Sequence, residues 1–248
     1  MGLIQDFFNG QKGKAGERKI ANKLGVLDFF GYEGRCLRNL YVPRYDGSTS
    51  EIDVVYITAK GLFVIESKNY AGYIFGNDRS KNWTSTLYAG KTWYGAKKVD
   101  KNHFYNPVKQ NYAHMKALAN YIGDFKAFSI IVFGDQSELK NITITSPGIY
   151  VCNSRDMKRV IKGIWNCEPD IYTEAQVQNI YNKLLPLTDV DREVKARHIQ
   201  NISQSTGVDI CPWCGGKLVM RTAHKGKYAG NSFYGCSNYP KCKYIRNT

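Results

Sequence analysis

Three charged side chains lie inside two apolar segments that a short turn separates. The first segment, residues 51–57, contains Asp53, and the second, residues 62–68, contains Glu66 and Lys68. Both segments have the length and apolar content of buried β-strands. Because side chains two residues apart point to the same face of a strand, Glu66 and Lys68 are predicted to share one face.

The turn between the two segments determines which carboxylates meet. With Ala59-Lys60 at its centre, antiparallel pairing places Asp53 directly opposite Glu66, with Cβ atoms about 4.5–5.5 Å apart. Two carboxylates at that distance repel each other unless a cation lies between them. The sequence therefore predicts a site that costs stability and can bind a metal ion.

These residue types suit phosphodiester hydrolysis. A hard cation neutralises the charge that develops on the phosphate and lowers the pKa of the attacking water. Mg²⁺ binds one or two carboxylates together with waters and phosphate oxygens. We expect Asp53 and Glu66 to bind Mg²⁺ (or Mn²⁺), and Lys68 to hold the water or stabilise the transition-state charge. A Glu-x-Lys triplet alone is common on solvated strands, so the prediction rests on the strand context and on the opposing Asp53.

A helix predicted at residues 12–24 precedes the two strands. Glu17 lies in the middle of its apolar face, among Ile20, Ala21 and Leu24. One interpretation is that Glu17 caps the helix or forms a salt bridge near its start. The other is that it points inward, as a third carboxylate beside Asp53.

A second helix is predicted from Asn106-Pro107, which suit the N-cap and first helical position, to about Ile122. Gln110 and His114 lie four residues apart on a face other than the aliphatic one. They form a solvated polar stripe, or Gln110 borders an active site. His114 is the weaker candidate, since single histidines are more often structural than ligands.

The remaining elements are predicted from apolar runs and turn formers. Residues 69–76 are expected to form turns, and the aromatic segment 81–94 either stacks on bases or forms edge strands that pack on the core. Further strands are predicted at 31–42, 128–133, 142–145 and 149–152, and further helices at 155–164 and 173–185.

The composition favours a polyanionic partner. The 248 residues include 35 Lys and Arg but 21 Asp and Glu, which gives a net charge of +14, and this balance suits nucleic acid or an anionic membrane surface. The membrane is the less favoured partner, because no stretch approaches the roughly 20 apolar residues of a spanning helix and no signal peptide is visible. A cytoplasmic protein is expected.

Four of the seven cysteines lie near the end of the chain in two pairs. Cys211 and Cys214 form a Cys-x-x-Cys pair, and the second pair, Cys236 and Cys242, follows after 21 intervening residues. Four thiolates can hold one tetrahedral, structural Zn²⁺, whose binding would supply the folding free energy of so short a segment. Two disulfides, or a redox Cys-x-x-Cys site, are the less favoured alternatives.

The segment that begins at Cys211 is basic and rich in aromatic residues. It has seven Lys and Arg and no acidic residue, and cations interleaved with aromatic rings suit phosphate contacts and base stacking. A basic finger that binds a protein is the alternative. The residues expected to contact DNA are Lys217, Arg221, Lys225, Lys227, Phe233, Tyr234, Lys241, Lys243 and Tyr244.

Several separated motifs resemble the nuclease-related domain (NERD) family of bacteria. The resemblance covers about residues 13–121 and implies an α/β fold with a restriction-endonuclease-like, PD-(D/E)xK core and Mg²⁺-dependent nuclease activity. It also implies an active site of Glu17, Asp53, Glu66 and Lys68, with Gln110 as an accessory residue. The motifs are Gly16-Glu17, Glu51-Ile52-Asp53, residues 61–70, Trp83 and residues 106–111.

The C-terminal cysteines and the residues around them closely resemble the C4 zinc finger of bacterial type I DNA topoisomerases. This second resemblance spans residues 211–245 and implies DNA binding, with a preference for single strands. A topoisomerase's catalytic tyrosine context is not present, so strand passage is not predicted.

Together these features predict three regions: a nuclease-like domain at residues 1–188, a polar helix or linker at 189–209 and a small zinc ribbon at 210–248. The predicted function is a metal-dependent nuclease that the finger targets to DNA. The alternative is a non-catalytic DNA-binding or scaffold protein with a nuclease-like fold.

Overall fold

The computed structural model describes residues 2–44, 48–91, 97–191, 193–196, 198, 218–223, 230, 232–236, 239 and 245–247, with side chains in α1 from residue 15 onward. The chain separates into two compact units, Met1–Val190 and Asp191–Thr248. In the described part, no helix is long and apolar enough to cross a membrane.

The first unit is a mixed α/β domain. Its helices are α1 (Gly2–Phe29), α2 (Pro107–Ile122), α3 (Met157–Cys167) and α4 (Glu174–Leu184), followed by a 3₁₀ turn (Leu185–Thr188). Its strands are β1 (Gly34–Pro43), β2 (Thr49–Thr58), β3 (Gly61–Lys68), β4 (Gly72–Asn77), β5 (Asn82–Lys91), β6 (Lys97–Tyr105), β7 (Ala127–Phe133), β8 (Ser137–Thr143) and β9 (Ile149–Asn153).

The main sheet has five strands in the order β1-β2-β3-β7-β9. The first three are antiparallel, whereas β3, β7 and β9 run parallel to one another. Helices cover both faces, which explains why β2 and β3 are near-continuous apolar runs. Side chains of α1 and α3 pack on one face, and side chains of α2 and α4 pack on the other.

A second sheet of four strands, β6-β5-β4-β8, packs near the carboxyl end of β7. Trp83 of β5 is fully buried there and stacks on Phe133 with ring centroids 5.9 Å apart. Of the two interpretations of the aromatic segment, packing on the core is therefore the one that holds for Trp83. The turn predicted at residues 69–76 is wrong, because β4 occupies most of it. A Cβ atom on Gly76 would lie 2.2 Å from the indole of Trp83, so this glycine makes room for a ring rather than forming a turn.

Helix α1 is longer than the segment predicted at residues 12–24. Its apolar face continues through Leu27, which is 1% exposed and packs with Ile20 and Leu24 against the main sheet. The helix also extends back to Gly2. The apolar period therefore indicates the packed part of this helix rather than its full length. The start of α2 is as predicted, with Asn106 as N-cap and Pro107 in the first turn.

The described part of the second unit contains a three-stranded antiparallel sheet. Its strands are β10 (Leu218–Thr222), β11 (Ser232–Cys236) and β12 (Ile245–Asn247), with β11 in the centre. The predicted zinc ligands Cys211, Cys214 and Cys242 lie outside the described residues. Cys236 ends β11, and only its backbone is described.

Candidate active site and zinc ribbon

The hairpin of β2 and β3 has the predicted register. Its last ladder pairs run from Thr58 opposite Gly61 to Val54 opposite Ile65, so Asp53 and Glu66 occupy the next position. Beyond the last ladder pair, a hydrogen bond to a side chain joins the two strands. The backbone N–H of Ser67 donates a hydrogen bond of 2.7 Å to Oδ2 of Asp53. Asp53 is therefore fixed to β3 at the residue that separates Glu66 from Lys68.

Glu66 is a buried carboxylate with two basic neighbours, Lys68 and His114. Only 1% of the residue is exposed. Its Oε1 lies 2.7 Å from Nζ of Lys68, and its Oε2 lies 3.1 Å from Nε2 of His114. On the other side of the imidazole, Nδ1 of His114 lies 2.7 Å from Oγ of Ser50. The buried side chains of Ser50, His114 and Glu66 thus form a line of polar contacts that begins near the start of β2.

Helix α2 places its polar side chains against β3 rather than in water. Nζ of Lys68 donates a hydrogen bond of 2.8 Å to Oε1 of Gln110. Asn111 donates bonds of 2.8 Å to the carbonyl of Val64 and to Oγ of Ser129, which fasten the helix across the sheet. The interpretation of Gln110 and His114 as a solvated stripe is wrong, because Gln110 is half-buried and His114 is 6% exposed.

Glu17 approaches the same strand end from α1. It is 9% exposed, and its charge contributes to raising the pKa of Asp53. The helix can pack closely here because Gly16 has no side chain: a Cβ atom at this position would lie only 2.9 Å from Oγ of Ser67. Of the two interpretations of Glu17, the structure therefore supports the inward one.

The charges of the site are unevenly compensated. Burial raises the pKa of Asp53 well above its ordinary value, and the charges of Glu66 and Glu17 add to this, whereas Lys68 and the Ser67 N–H oppose it. Burial alone would raise the pKa of Glu66, but Lys68 and His114 outweigh it and the net shift is downward. Burial alone would lower the pKa of Lys68, but Glu66 and Asp53 outweigh it and the net shift is upward. Glu66 and Lys68 are thus a charged pair, whereas the ionised form of Asp53 is disfavoured in this environment.

The donor set is compatible with Mg²⁺ but incomplete as a protein-only site. In the part of the chain that is described, no group of three or more His, Cys, Asp or Glu residues is close enough to hold a metal ion. Mg²⁺ needs only one or two carboxylates, since waters and phosphate oxygens supply the other ligands. Oε2 of Glu66 is buried without a well-aligned hydrogen bond among the described residues. Together with the raised pKa of Asp53, this oxygen, which has His114 at 3.1 Å but no well-aligned donor, fits a cation.

Two polar contacts of the site were not found from the sequence. The sequence does not single out Ser50, and it makes His114 a weaker candidate than Gln110. The spacing carried part of the signal, because His114 lies one helical turn after Gln110 and so on the same side of α2. Its burial depends on how far α2 extends over the sheet, which no local pattern indicates.

In the second unit, the structure places three of the predicted DNA-contacting residues. Arg221 of β10 lies opposite Phe233 of β11, and its guanidinium lies 5.9 Å from the ring of Tyr239. Tyr234 lies opposite Met220 and so on the other face of the ribbon. The remaining residues of that prediction, Lys217, Lys225, Lys227, Lys241, Lys243 and Tyr244, lie outside the described part.

A mixed α/β domain with buried acidic and basic residues at one strand end, followed by a basic segment with paired cysteines, defines a nuclease-like protein with a zinc ribbon. The comparisons with known proteins agree. The family model of the nuclease-related domain (NERD) matches residues 12–134, and that of the topoisomerase DNA-binding C4 zinc finger matches residues 208–248. The chain belongs to the NERD family and carries a topoisomerase-type zinc ribbon at its C-terminal end, and this ribbon family supports a structural Zn²⁺.

The similar proteins fall into two groups: one relative matches most of the chain, and DNA topoisomerases match a short segment. An uncharacterized protein of Bacillus anthracis is 30% identical over 190 residues, which cover 76% of this chain and 82% of that protein. DNA topoisomerase 1 of Methanocaldococcus jannaschii is 63% identical over 35 residues, and that of Helicobacter pylori strain J99 is 45% identical over 49 residues. These matches cover 14% and 20% of this chain, but only 4% and 6% of the two topoisomerases. No solved structure matches the chain.

Proposed function

We propose that the protein is a metal-dependent nuclease with a restriction-endonuclease-like, PD-(D/E)xK core, and that it hydrolyses DNA phosphodiester bonds. The observation that carries this proposal is the buried Glu66–Lys68 pair beside Asp53. Placing three charges at the end of apolar strands costs stability. That arrangement is expected where a site must bind a cation and stabilise a developing negative charge.

Each residue of the site has a role that follows from its position. Asp53 and Glu66 would hold the Mg²⁺ (or Mn²⁺), which when bound supplies charge neutralisation and a more acidic water. Lys68, kept charged by Glu66, stabilises the negative charge of the transition state. Gln110 accepts a hydrogen bond from Lys68 and so fixes the direction of its ammonium group. Glu17 adds a third negative charge beside Asp53 and strengthens the attraction for a cation.

The zinc ribbon is proposed to bring DNA to this site. Its Arg221, Phe233 and Tyr239 lie close together on one side of the ribbon, which supports a contact that combines phosphate binding with base stacking. We propose single-stranded DNA as its ligand. Removing the residues after Gly207 should lower the affinity for DNA and flatten its dependence on salt concentration, measured by fluorescence anisotropy. Unchanged binding would remove the ribbon from the proposal.

The chain provides its own control for a cleavage experiment. Glu138 and Lys140 of β8 have the same Glu-x-Lys spacing and form an ion pair of 2.6 Å, but both are about half exposed. Labelled single- and double-stranded DNA should be incubated with the full chain in Mg²⁺, in Mn²⁺ and in EDTA. We expect Glu66→Gln and Lys68→Met to reduce the rate by about 10²-fold or more, and Glu138→Gln and Lys140→Met to cut normally.

Metal-dependent cleavage that survives in Glu66→Gln and Lys68→Met would refute the assignment of the site. Failure of the wild-type chain to cut any DNA substrate would favour the second function, a non-catalytic DNA-binding or scaffold protein. One observation supports that alternative. Glu66 is almost completely buried, and its two oxygens already face Lys68 and His114, so a bound cation must displace or share these contacts.

A further inference from the structure

A cleft lies at the carboxyl edge of the main sheet, on the face that α1 covers. The strands β3, β7 and β9 are parallel, so the loops that follow them meet at this edge. In α/β sheets, crevices outside the carboxyl ends of parallel strands are frequent binding sites. The cleft has a volume of about 480 Å³, in the general range of about 300–1,000 Å³ for ligand pockets. Its lining includes Gly16, Lys19, Ser67, Asn69, Asp135 and Ser154.

Ser67 connects this cleft to the candidate active site. Ser67 lines the cleft, while its backbone N–H donates a hydrogen bond to Asp53. Its neighbours Glu66 and Lys68 point to the other face of β3. The cleft is therefore on the other face of β3 from Glu66 and Lys68, but at the same strand end. A polymer bound at Asp53 and extending past this strand end would bring its neighbouring units towards the cleft.

The charged residues that line the cleft are Lys19 and Asp135, which form an ion pair. Four more cations and one more acid are linked to this pair by ion pairs or charge interactions, so the linked set of five described cations and two described acids has a net charge of +3. Both acids are partly exposed, and their ion pairs are of the surface type that contributes about 0–1 kcal/mol. A phosphate can therefore replace them at little cost. The cations are Lys19, Lys23, Arg155, Lys158 and Arg159, and the acids are Asp135 and Asp156.

Lys23 is the most constrained of these cations. Its Nζ lies 2.9 Å from Oγ of Ser154 and also contacts the carbonyl of that residue. Burial lowers the pKa of Lys23, and the like charges of Lys19 and Lys158 add to this, although Asp135 acts in the opposite direction. An ammonium group held among other cations at the edge of a cleft is suited to an anionic ligand.

We propose that this cleft binds the phosphates that flank the scissile phosphodiester bond, with Lys19, Lys23 and Arg155 contacting their oxygens. The nuclease-like domain then has a DNA contact of its own, separate from that of the zinc ribbon. This inference rests on the proposed function for the position of the scissile bond, at Asp53 and Glu66. The binding it predicts does not require that the strand is cut.

The test is the salt dependence of DNA binding by the full chain, measured in buffer without divalent cations and without chelator so that zinc is retained. The triple variant Lys19→Gln/Lys23→Gln/Arg155→Gln removes three charges at the cleft. The control, Lys98→Gln/Lys101→Gln/Lys183→Gln, removes three charges from exposed positions on β6 and α4. We expect the cleft variant to reduce the magnitude of the negative slope of log K against log salt by about 2–3, since each lost phosphate contact removes about 0.7–0.9. The control should keep a slope close to that of the wild type.

A cleft variant with the slope of the control would overturn the proposal. Because Lys23 also contacts Ser154, a charge-conserving variant, Lys19→Arg/Lys23→Arg, is included, and it should restore the wild-type slope if charge is what matters. The outcomes for the two proposals are separable. If the cleft variant changes the salt dependence but the wild-type chain cuts no DNA, the cleft proposal is supported and the nuclease proposal is refuted. If the wild-type chain cuts DNA but the cleft variant keeps the wild-type slope, the nuclease proposal is supported and the cleft proposal is refuted.

Discussion

The chain contains the Glu-x-Lys pattern on two strands, in two different environments. The side chains of Glu66 and Lys68 are 2% and 17% exposed, with 2.7 Å between Oε1 and Nζ. Those of Glu138 and Lys140 are 52% and 47% exposed, with 2.6 Å between the same atoms. The pairs thus have the same sequence spacing and nearly the same geometry. They differ in solvation and in their polar neighbours, so a comparison between them tests how much the buried environment contributes.

We predict that Lys68→Met lowers the free energy of unfolding by about 3–5 kcal/mol, because it leaves the carboxylate of Glu66 buried without its main cation. Lys140→Met should cost about 0–1 kcal/mol, because water solvates the remaining carboxylate. The assay is urea denaturation at pH 7 without divalent cations, followed by far-UV circular dichroism. The transition to be compared is that of the first unit.

A double variant makes this comparison sharper. Glu66→Gln/Lys68→Met removes both charges and should recover much of the stability that Lys68→Met alone loses, since it does not leave the Glu66 carboxylate buried without its cation. Losses for Lys68→Met and Lys140→Met that agree within about 0.5 kcal/mol would refute the reasoning. Glu66 would then be effectively hydrated, and the site would not be the strained cluster of charges described above.

Three further predictions concern single side chains. Asp53→Asn should raise the melting temperature at pH 7 without metal, because the raised pKa of Asp53 makes its ionised form unfavourable in the folded state. The gain in melting temperature should grow as the pH rises above about 4, the pKa of an unfolded Asp, and should disappear in Mg²⁺; thermal scans across this pH range test it. His114→Ala should lower the free energy of unfolding by about 1–3 kcal/mol, since Glu66 loses a buried neighbour, whereas Tyr112→Ala on the exposed side of α2 should have little effect in urea denaturation. Asn106→Ala should cost about 2–3 kcal/mol in the same assay, because this fully buried side chain caps α2 and also binds backbone carbonyls that precede β5.

The parts of the fold that the sequence predicted correctly depend on local rules. The two-residue turn at Ala59-Lys60 fixed the register of β2 and β3, and with it the position of Asp53 relative to Glu66. The Asn106-Pro107 pair predicted the start of α2, because capping and the fixed φ of proline act within a few residues. Both predictions needed no knowledge of distant parts of the chain.

The second sheet and the surroundings of Glu66 depend on contacts between distant residues. Gly76 has the composition signal of a turn, and only the ring of Trp83 explains why a glycine is needed within a strand. His114 has the same sequence signal whether it faces water or Glu66. The difference comes from the packing of α2 across β3, which Asn111 secures through the carbonyl of Val64.

The parallel arrangement of β3, β7 and β9 has a consequence for how this protein could change. The loops at residues 69–71, 134–136 and 154–156 border the cleft, while Asp53, Glu66 and Lys68 are held by strands and by α2. Loops accept insertions and substitutions that strands do not. The edge of the sheet can therefore acquire a new preference for the shape or sequence of its ligand while the charged residues stay in place. Directed evolution of ligand preference should begin in these three loops.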